Sequence, residues 1–327
     1  MRAIVQDRYG PPETLRLADV DVPVPGSEEV LVRIEAAALN AYDWHVMRGD
    51  PRLARLSLGW SRPRARIRGR DFAGRVTAVG TQVRQIRPGD AVFGDLGDAN
   101  GAFAEYACLP EHLVAPAPAN LTPRQAAALP LAGVTALMGL SDLGQVEPGQ
   151  RVLVNGASGG VGTLAVQLAK ALGATVTGVC RTRNVDLVRS LGADQVVDYT
   201  RTDFTRHAGR HDLVLDLVGN RSITALRRSL TPTGTLVLSG GGVYRGGSLV
   251  GPVWLLTRGR LLAPLVRQRI AILTATPSRP HLDRLRAHAE AGRLTPVVDR
   301  TYPLDEVPQA IRYLEAEHAR AKVVITV

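Results

Sequence analysis

A β-rich run, Arg151-Val-Leu-Val-Asn155, leads directly into Gly156-Ala-Ser-Gly-Gly-Val-Gly162, and no other stretch constrains the fold so tightly. Glycines at this spacing let the backbone approach a pyrophosphate, whose charge is stabilised by free N–H groups and the positive end of the next helix. That helix is expected, because Val161, Leu164, Ala165, Leu168 and Leu172 trace one face up to Gly173, a good C-terminal stop. Ala157 stands in the first glycine place of Gly-x-Gly-x-x-Gly, and Ser158, Gly159, Gly160, Val161 and Gly162 are the expected phosphate-binding residues. A turn kept only for packing would not need the next strand, Thr175 to Val179, to arrive on schedule.

The position after that strand reports on the cofactor. An acidic residue there would hold the ribose 2′-hydroxyl of NAD, but this chain has Cys180-Arg-Thr-Arg-Asn184. Guanidinium forks pair with phosphate bidentately, so Arg181 and Arg183 suit a 2′-phosphate and point to NADPH. The competing explanation is compositional, since Lys170 and Lys322 are the only lysines among 40 basic residues in a chain of net charge +10.

The 327 residues, 45% of them hydrophobic, suffice for two domains with separate cores. From Met1 to about Pro118, short β segments are broken by Pro and Gly, and Val30, Val32 and Ile34 alternate with Leu31, Arg33 and Glu35. Between Thr122 and about Pro277, apolar strands alternate with amphipathic helices, the pattern of a parallel sheet with right-handed crossovers. Helices near Leu282 to Glu290 and Asp305 to Glu315 follow, then a strand from Val323 to Val327 that needs a sheet to join. The expected fold is α/β: a Rossmann doubly wound parallel sheet, residues 122–276, inserted into a mostly β domain built from 1–121 and 277–327. Cys108 and Cys180 belong to no Cys-x-x-Cys or Cys/His cluster, which weighs against structural zinc and a disulfide framework. With no signal-peptide core and no apolar run near about 18 residues, a soluble cytoplasmic protein without membrane contact is expected.

Beyond the stretch from Val152 to Tyr199, the chain carries Asn40-Ala-Tyr-Asp43, Arg48-Gly49, Gly69-Arg-Asp-Phe-Ala-Gly74 and Gly133-Val-Thr-Ala136. Together these resemble the quinone oxidoreductase branch of the medium-chain dehydrogenase/reductase superfamily, over nearly the whole length. Pro303-Leu-Asp-Glu-Val307 and Ala321-Lys-Val-Val-Ile325 are similar to that family's closing segment, with Ala321 where Gly is usual. The resemblance implies a GroES-like β domain beside the Rossmann domain, an active site in the cleft between them, and a homodimer. Zinc-dependent alcohol dehydrogenases have a Cys, a His with an adjacent Glu, and a second Cys where this chain has Asn40, Arg70 with Asp71, and Ala132. No tetrahedral nitrogen and sulfur site can be rebuilt from these, so zinc-free chemistry is expected. Without a Lewis acid, conjugated acceptors are the easier substrates, because their charge spreads into an enolate or hydroquinone. A small quinone or enone is therefore the expected substrate.

By the same resemblance, Asn40 lines the nicotinamide end and Asp43 shares its motif, with Tyr42 and His45 as candidate proton donors beside solvent. Thr135 is assigned to the nicotinamide ribose region, and Tyr199 to the adenosine phosphate end. Val218 and Gly219, and Ser239, Gly240 and Gly241, follow parallel strands at the carboxyl ends where open α/β sheets bind ligands. Enoyl-thioester and metabolite-tailoring enone reductases share fold and cofactor and stay as alternatives. A rival of another class is a non-catalytic nucleic-acid-binding protein, using arginines 52, 55, 62, 64, 66, 68 and 70. Only Trp60 interleaves that stretch, poor support for stacking on bases, and a solvated, compositionally biased loop is the plainer expectation.

Overall fold

A computed structural model describes residues 1–206, 210–240, 251, 253–316 and 319–327. The chain divides into two units, Met1–Val134 with Thr276–Val327, and Thr135–Ala275.

In the first unit the sequence opens with β1 (Arg2–Gln6) and β2 (Leu15–Asp19), an antiparallel pair. β3 (Glu29–Leu39) follows, and its alternation is as the sequence suggests: Val30, Val32 and Ile34 are buried while Arg33 is exposed. From Ala36 onward every side chain of β3 is buried, because small alanines let strands pack on both faces. α1 (Ala41–Arg48) and the single turn α2 (Arg55–Leu58) precede β4 (Asp71–Val79), β5 (Ala91–Asp95), β6 (Tyr106–Pro110) and β7 (Val114–Pro116). Then come α3 (Pro123–Ala127) and α4 (Pro130–Leu137).

The second unit is built on β8 (Arg151–Asn155), α5 (Gly160–Ala171), β9 (Thr175–Cys180), α6 (Val185–Ser190), β10 (Gln195–Asp198), β11 (His211–Asp216), α7 (Ile223–Arg228), β12 (Leu230–Leu238), α8 (Val253–Leu262) and β13 (Arg269–Ile272). All its strand pairs are parallel, in the order β10-β9-β8-β11-β12-β13. The order reverses between β8 and β11, the switch point at which doubly wound sheets bind their ligands. Leu164, Ala165 and Leu168 on α5 are buried, as their helical spacing requires, whereas Val161 and Leu172 at its ends are half-buried.

The chain returns to the first unit with α9 (Arg279–Glu290), β14 (Val298–Pro303), α10 (Val307–Ala316) and β15 (Lys322–Thr326). The terminal strand joins β3 antiparallel, and β14-β15-β3-β4-β5-β7, with β6 also on β3, make one sheet. Its core gathers Phe72, Phe93's neighbour Val92, Phe103, Ile4, Leu304 and Ile325, each fully or almost fully buried.

The units divide at Val134/Thr135, later than the expected boundary at 121/122, and at Ala275/Thr276. α3 packs on β3, β4 and β15, and the Leu131 N–H donates to Asp71 at 3.0 Å, so residues 122–134 belong to the β unit.

Candidate functional site

At the glycine turn, Gly156 has φ +90°, and a Cβ there would lie 2.7 Å from Val218 Cγ2. A Cβ at Gly162 would come within 2.0 Å of the Gly156 carbonyl oxygen, so only glycine lets α5 pass so close to the turn. Gly159 differs: a Cβ on it would meet only Gly156 O, at 3.4 Å, and the turn is open there. Gly159 is the N-cap of α5 with no side-chain cap, which leaves the first-turn N–H groups of Gly160, Val161 and Gly162 without intrahelical acceptors. An open glycine backbone beside an uncapped helix start fits a phosphate.

The surrounding residues are organised by buried polar groups. Asn184 Nδ2 donates to Ser158 Oγ at 2.9 Å, tying the turn to the segment that carries Arg181 and Arg183, while Asn184 Oδ1 is buried without a protein partner. Both arginines are exposed just beyond β9. The carboxylate ending β10, Asp198, is taken up by Thr182 Oγ1 at 2.6 Å, Thr200 Oγ1 at 2.7 Å and Arg201. The Tyr199 N–H donates to Cys180 O at 3.1 Å.

Asp216, 1% exposed, was not anticipated from sequence. Its Oδ1 accepts from Asn155 Nδ2 at 2.7 Å and from the N–H groups of Val218 and Gly219 at 3.2 Å, and Ser239 N–H donates to its carbonyl. The carboxylate thereby ties the end of β8 to the turn after β11, while the backbone carbonyl of the same residue holds the end of β12; burial raises the carboxyl pKa. An ionisable residue closing an apolar strand run was the available signal. Ser239 and Gly240 follow β12, whereas Gly241 lies outside the described residues.

In the β unit, Asn40 sits where β3 ends and α1 begins. Its backbone N–H donates to Asp43 Oδ2 at 2.7 Å, its Nδ2 to Asp71 Oδ2 at 2.9 Å, and its Oδ1 accepts from Lys322 Nζ at 2.6 Å. Asp43, Asp71 and Lys322 are 2%, 0% and 3% exposed. Burial pushes the Asp43 carboxyl up to about 7, with Asp71 adding to the effect, and its Oδ1 has no protein partner. Burial likewise lifts Asp71 to about 6, against the pull of Lys322.

Tyr42 and His45, on the same helix, face other partners. Tyr42 OH donates to Asp98 Oδ1 at 2.8 Å beneath the Arg70 guanidinium, and burial together with that bond raises its pKa. His45 Nδ1 lies 3.0 Å from the Asp50 carbonyl, so it carries the ring proton; burial lowers the pKa of the imidazole. Thr135 is buried on α4.

The arginine-rich segment is only in part the solvated loop expected: Arg52, Arg62, Arg64 and Arg66 are exposed. Arg68 and Arg70 are buried, and Arg70 makes a bidentate pair with Asp95 at 2.8 and 2.7 Å. Arg55 donates to Gly49 O and lies over Tyr9, and Arg66 pairs with Asp7. Among the described residues, Arg52, Arg62 and Arg64 have no side-chain partner.

Zinc does not fit this donor set. Asn40 is an amide already bonded to an ammonium, Arg70 is a cation paired with Asp95, and Ala132 has only a methyl group. Among the described residues no three His, Cys, Asp or Glu side chains cluster as metal ligands would.

The family described as alcohol dehydrogenase GroES-like domain matches residues 26–119, and that described as zinc-binding dehydrogenase matches residues 191–325. The chain is 32% identical to quinone-oxidoreductase QR1, chloroplastic, of Triphysaria versicolor, covering 99% of this chain and 98% of that protein. It is 35% identical to 2-methylene-furan-3-one reductase of Solanum lycopersicum, covering 99% of this chain and 79% of that one. The solved quinone oxidoreductase of Coxiella burnetii superposes with TM-score 0.87 at 31% identity, covering 100% and 99% of the two chains. The Escherichia coli quinone oxidoreductase complexed with NADPH gives TM-score 0.84 at 25% identity, covering both chains fully at 100%. A glycine turn built for a dinucleotide, a donor set that cannot hold zinc and end-to-end relatedness agree: the chain belongs to the zinc-free quinone oxidoreductase branch of the medium-chain dehydrogenase/reductase superfamily.

Proposed function

We propose that the protein is a zinc-independent reductase that passes hydride from NADPH to a quinone or an α,β-unsaturated carbonyl compound. The observation that carries the reading is the open glycine turn at Gly159, followed after β9 by two exposed arginines and no acidic residue. The names of the relatives support the acceptor class, and the E. coli neighbour was solved with NADPH.

Bound NADPH would supply the hydride; the chain's own residues bind, orient and keep protons in place. Gly160, Val161 and Gly162 offer N–H groups to the pyrophosphate, which Gly159, having no side chain, lets approach, and Arg181 and Arg183 take the 2′-phosphate. Ser158, Thr135, Tyr199, Val218, Gly219, Ser239 and Gly240 complete the assigned contacts. Asn40 is assigned to the nicotinamide end. In an enone the charge left by hydride at the β carbon spreads to the carbonyl oxygen, where a hydrogen-bond donor suffices. Tyr42 already spends its proton on Asp98 and His45 on Asp50, so solvent is the proton source in this reading.

Fluorescence titration with NADPH and NADH tests it. Tighter NADPH binding that Arg181→Ala weakens is the expected result; equal binding of both dinucleotides would overturn the 2′-phosphate assignment. Homodimer assembly belongs to the same proposal, supported by β13 at the sheet edge and by exposed Trp254, Leu261 and Leu265 on and just after α8. Light scattering should give twice the 35.0 kDa of one chain.

A further inference from the structure

Lys322 holds a place that neither its number in the sequence nor the family's name explains. β15 pairs with β3 at Val323↔Leu39, so the residue before Val323 comes level with the residue after Leu39. On the other side of β3 the register is Ala38↔Asp71. Asn40 is thus flanked by Lys322 from one neighbouring strand and Asp71 from the other, three residues distant in sequence brought together by strand pairing alone.

A lysine 3% exposed must have a partner, and the plain explanation is that it neutralises Asp71. The distances point elsewhere. Lys322 Nζ is 3.4 Å from Asp71 Oδ2 but 2.6 Å from Asn40 Oδ1. Asp71 has hydrogen bonds of its own, from Asn40 Nδ2 at 2.9 Å and Leu131 N–H at 3.0 Å. The ammonium therefore makes its close, charge-assisted bond to the amide. Turned over, the Asn40 carboxamide would set its NH2 against an ammonium and its oxygen against a carboxylate, two repulsive contacts in place of two attractive ones. Its orientation is fixed: Oδ1 faces the ammonium, and the two Nδ2 hydrogens are directed to Asp71 and, at a longer 3.4 Å, to Ala38 O.

We propose that Lys322 is a positioning residue of the reductase: its ammonium holds the Asn40 carboxamide in the single orientation in which it serves the nicotinamide end. The inference rests on Asn40 serving the nicotinamide end, as proposed above. Lys322 itself touches neither acceptor nor cofactor in this account.

A double-mutant cycle tests it, with Lys322→Met, Asn40→Ala and the pair, each assayed for kcat and for the KM of NADPH with 9,10-phenanthrenequinone. Lys322→Met should lower kcat by about 10- to 100-fold, the cost of misplacing a group near the chemistry, with KM for NADPH changed by less than about threefold. Combined with Asn40→Ala it should cost no more than Asn40→Ala alone, because the lysine acts through the amide. Losses that multiply, or a kcat within about twofold of wild type, would overturn the proposal. Should Lys322→Met fold poorly, Lys322→Met with Asp71→Asn removes both charges and keeps one acceptor oxygen for the Leu131 N–H; kcat should stay low there too, and recovery would make Lys322 a mere counter-ion. A second readout needs no substrate. The side-chain NH2 resonances of Asn40, assigned by their loss in Asn40→Asp, should be protected from exchange in the wild type and lose protection in Lys322→Met. If the wild type reduces neither quinone nor enone, the functional reading fails and these resonances alone decide whether Lys322 holds Asn40; unchanged protection would refute it.

Discussion

The glycine turn of the second unit and the Asn40–Asp71–Lys322 cluster of the first are both built for polar work, by opposite routes. The turn is local: Gly156 to Gly162 supply its shape within one strand–turn–helix passage, and steric contact enforces it. The cluster is non-local, drawn from the end of β3, the start of β4 and the start of β15, with electrostatics as its constraint. A steric device fails when a methyl group is added, and an electrostatic one when a charge is removed. The difference gives each region its own signature under mutation.

The largest effect is expected in the cluster. Lys322→Met leaves Asp71 buried without its counter-ion and should cost roughly 3–5 kcal/mol of stability at pH 8, read by urea unfolding. A change below about 1 kcal/mol would mean that the pair is not buried as described. Asp43 probes the same charges through pH. Its folded pKa of about 7 lies above an unfolded value near 3.9, so the folded state binds the proton more tightly. That contribution is fully present below about pH 4 and is lost as pH rises to about 7. Asp43→Asn does not titrate, so its stability relative to wild type should climb over that window by up to about 4 kcal/mol and then level off. Melting curves from pH 4 to 8 that run parallel would contradict the assignment.

The turn comes next. Gly162→Ala forces a methyl group onto the Gly156 carbonyl and should cost about 3 kcal/mol, weakening NADPH binding by more than about 100-fold. Gly159→Ala, where the added carbon meets nothing closer than 3.4 Å, should preserve the fold and impair dinucleotide binding alone, so equal unfolding of the two variants would erase the contrast. Arg181→Ala should raise the Kd for NADPH by about tenfold and leave NADH unchanged, an exposed charged bond being worth about that much. Smallest is Ala321→Gly. Ala321 has φ +66°, a left-handed conformation that costs an alanine roughly 1–2 kcal/mol, so glycine should stabilise by about 0.5–1 kcal/mol after its own entropy cost.

What could be read from the sequence follows the same division. The order of strands and helices from Arg151 to Cys180, the buried face of α5 and the alternation in β3 were legible, because each depends on neighbours within one or two turns or a single pleat. So was the insertion of one domain into the other, from a terminal strand that could not stand alone. Lys322 and Asp216 were not, since their roles appear only when strand register or strand order is known. A hint existed: Lys322 is one of two lysines where arginine is otherwise the basic residue, and in the structure Lys322 pairs with Asp71 and Lys170 with Asp194. The motif of Tyr42 sets it near the chemistry, but its hydroxyl is taken by Asp98, which is distant in sequence. The burial of Arg68 and Arg70 was hidden by the arginine bias of the stretch around them.

The central claim is hydride transfer from NADPH to a conjugated acceptor without a metal. The most direct test is the absorbance of NADPH at about 340 nm when 1,4-benzoquinone or an enone is added to enzyme dialysed against a chelator. The account predicts oxidation of NADPH at a rate that chelation does not change and added zinc does not raise. No oxidation with either acceptor, or activity that chelation abolishes and zinc restores, would contradict it.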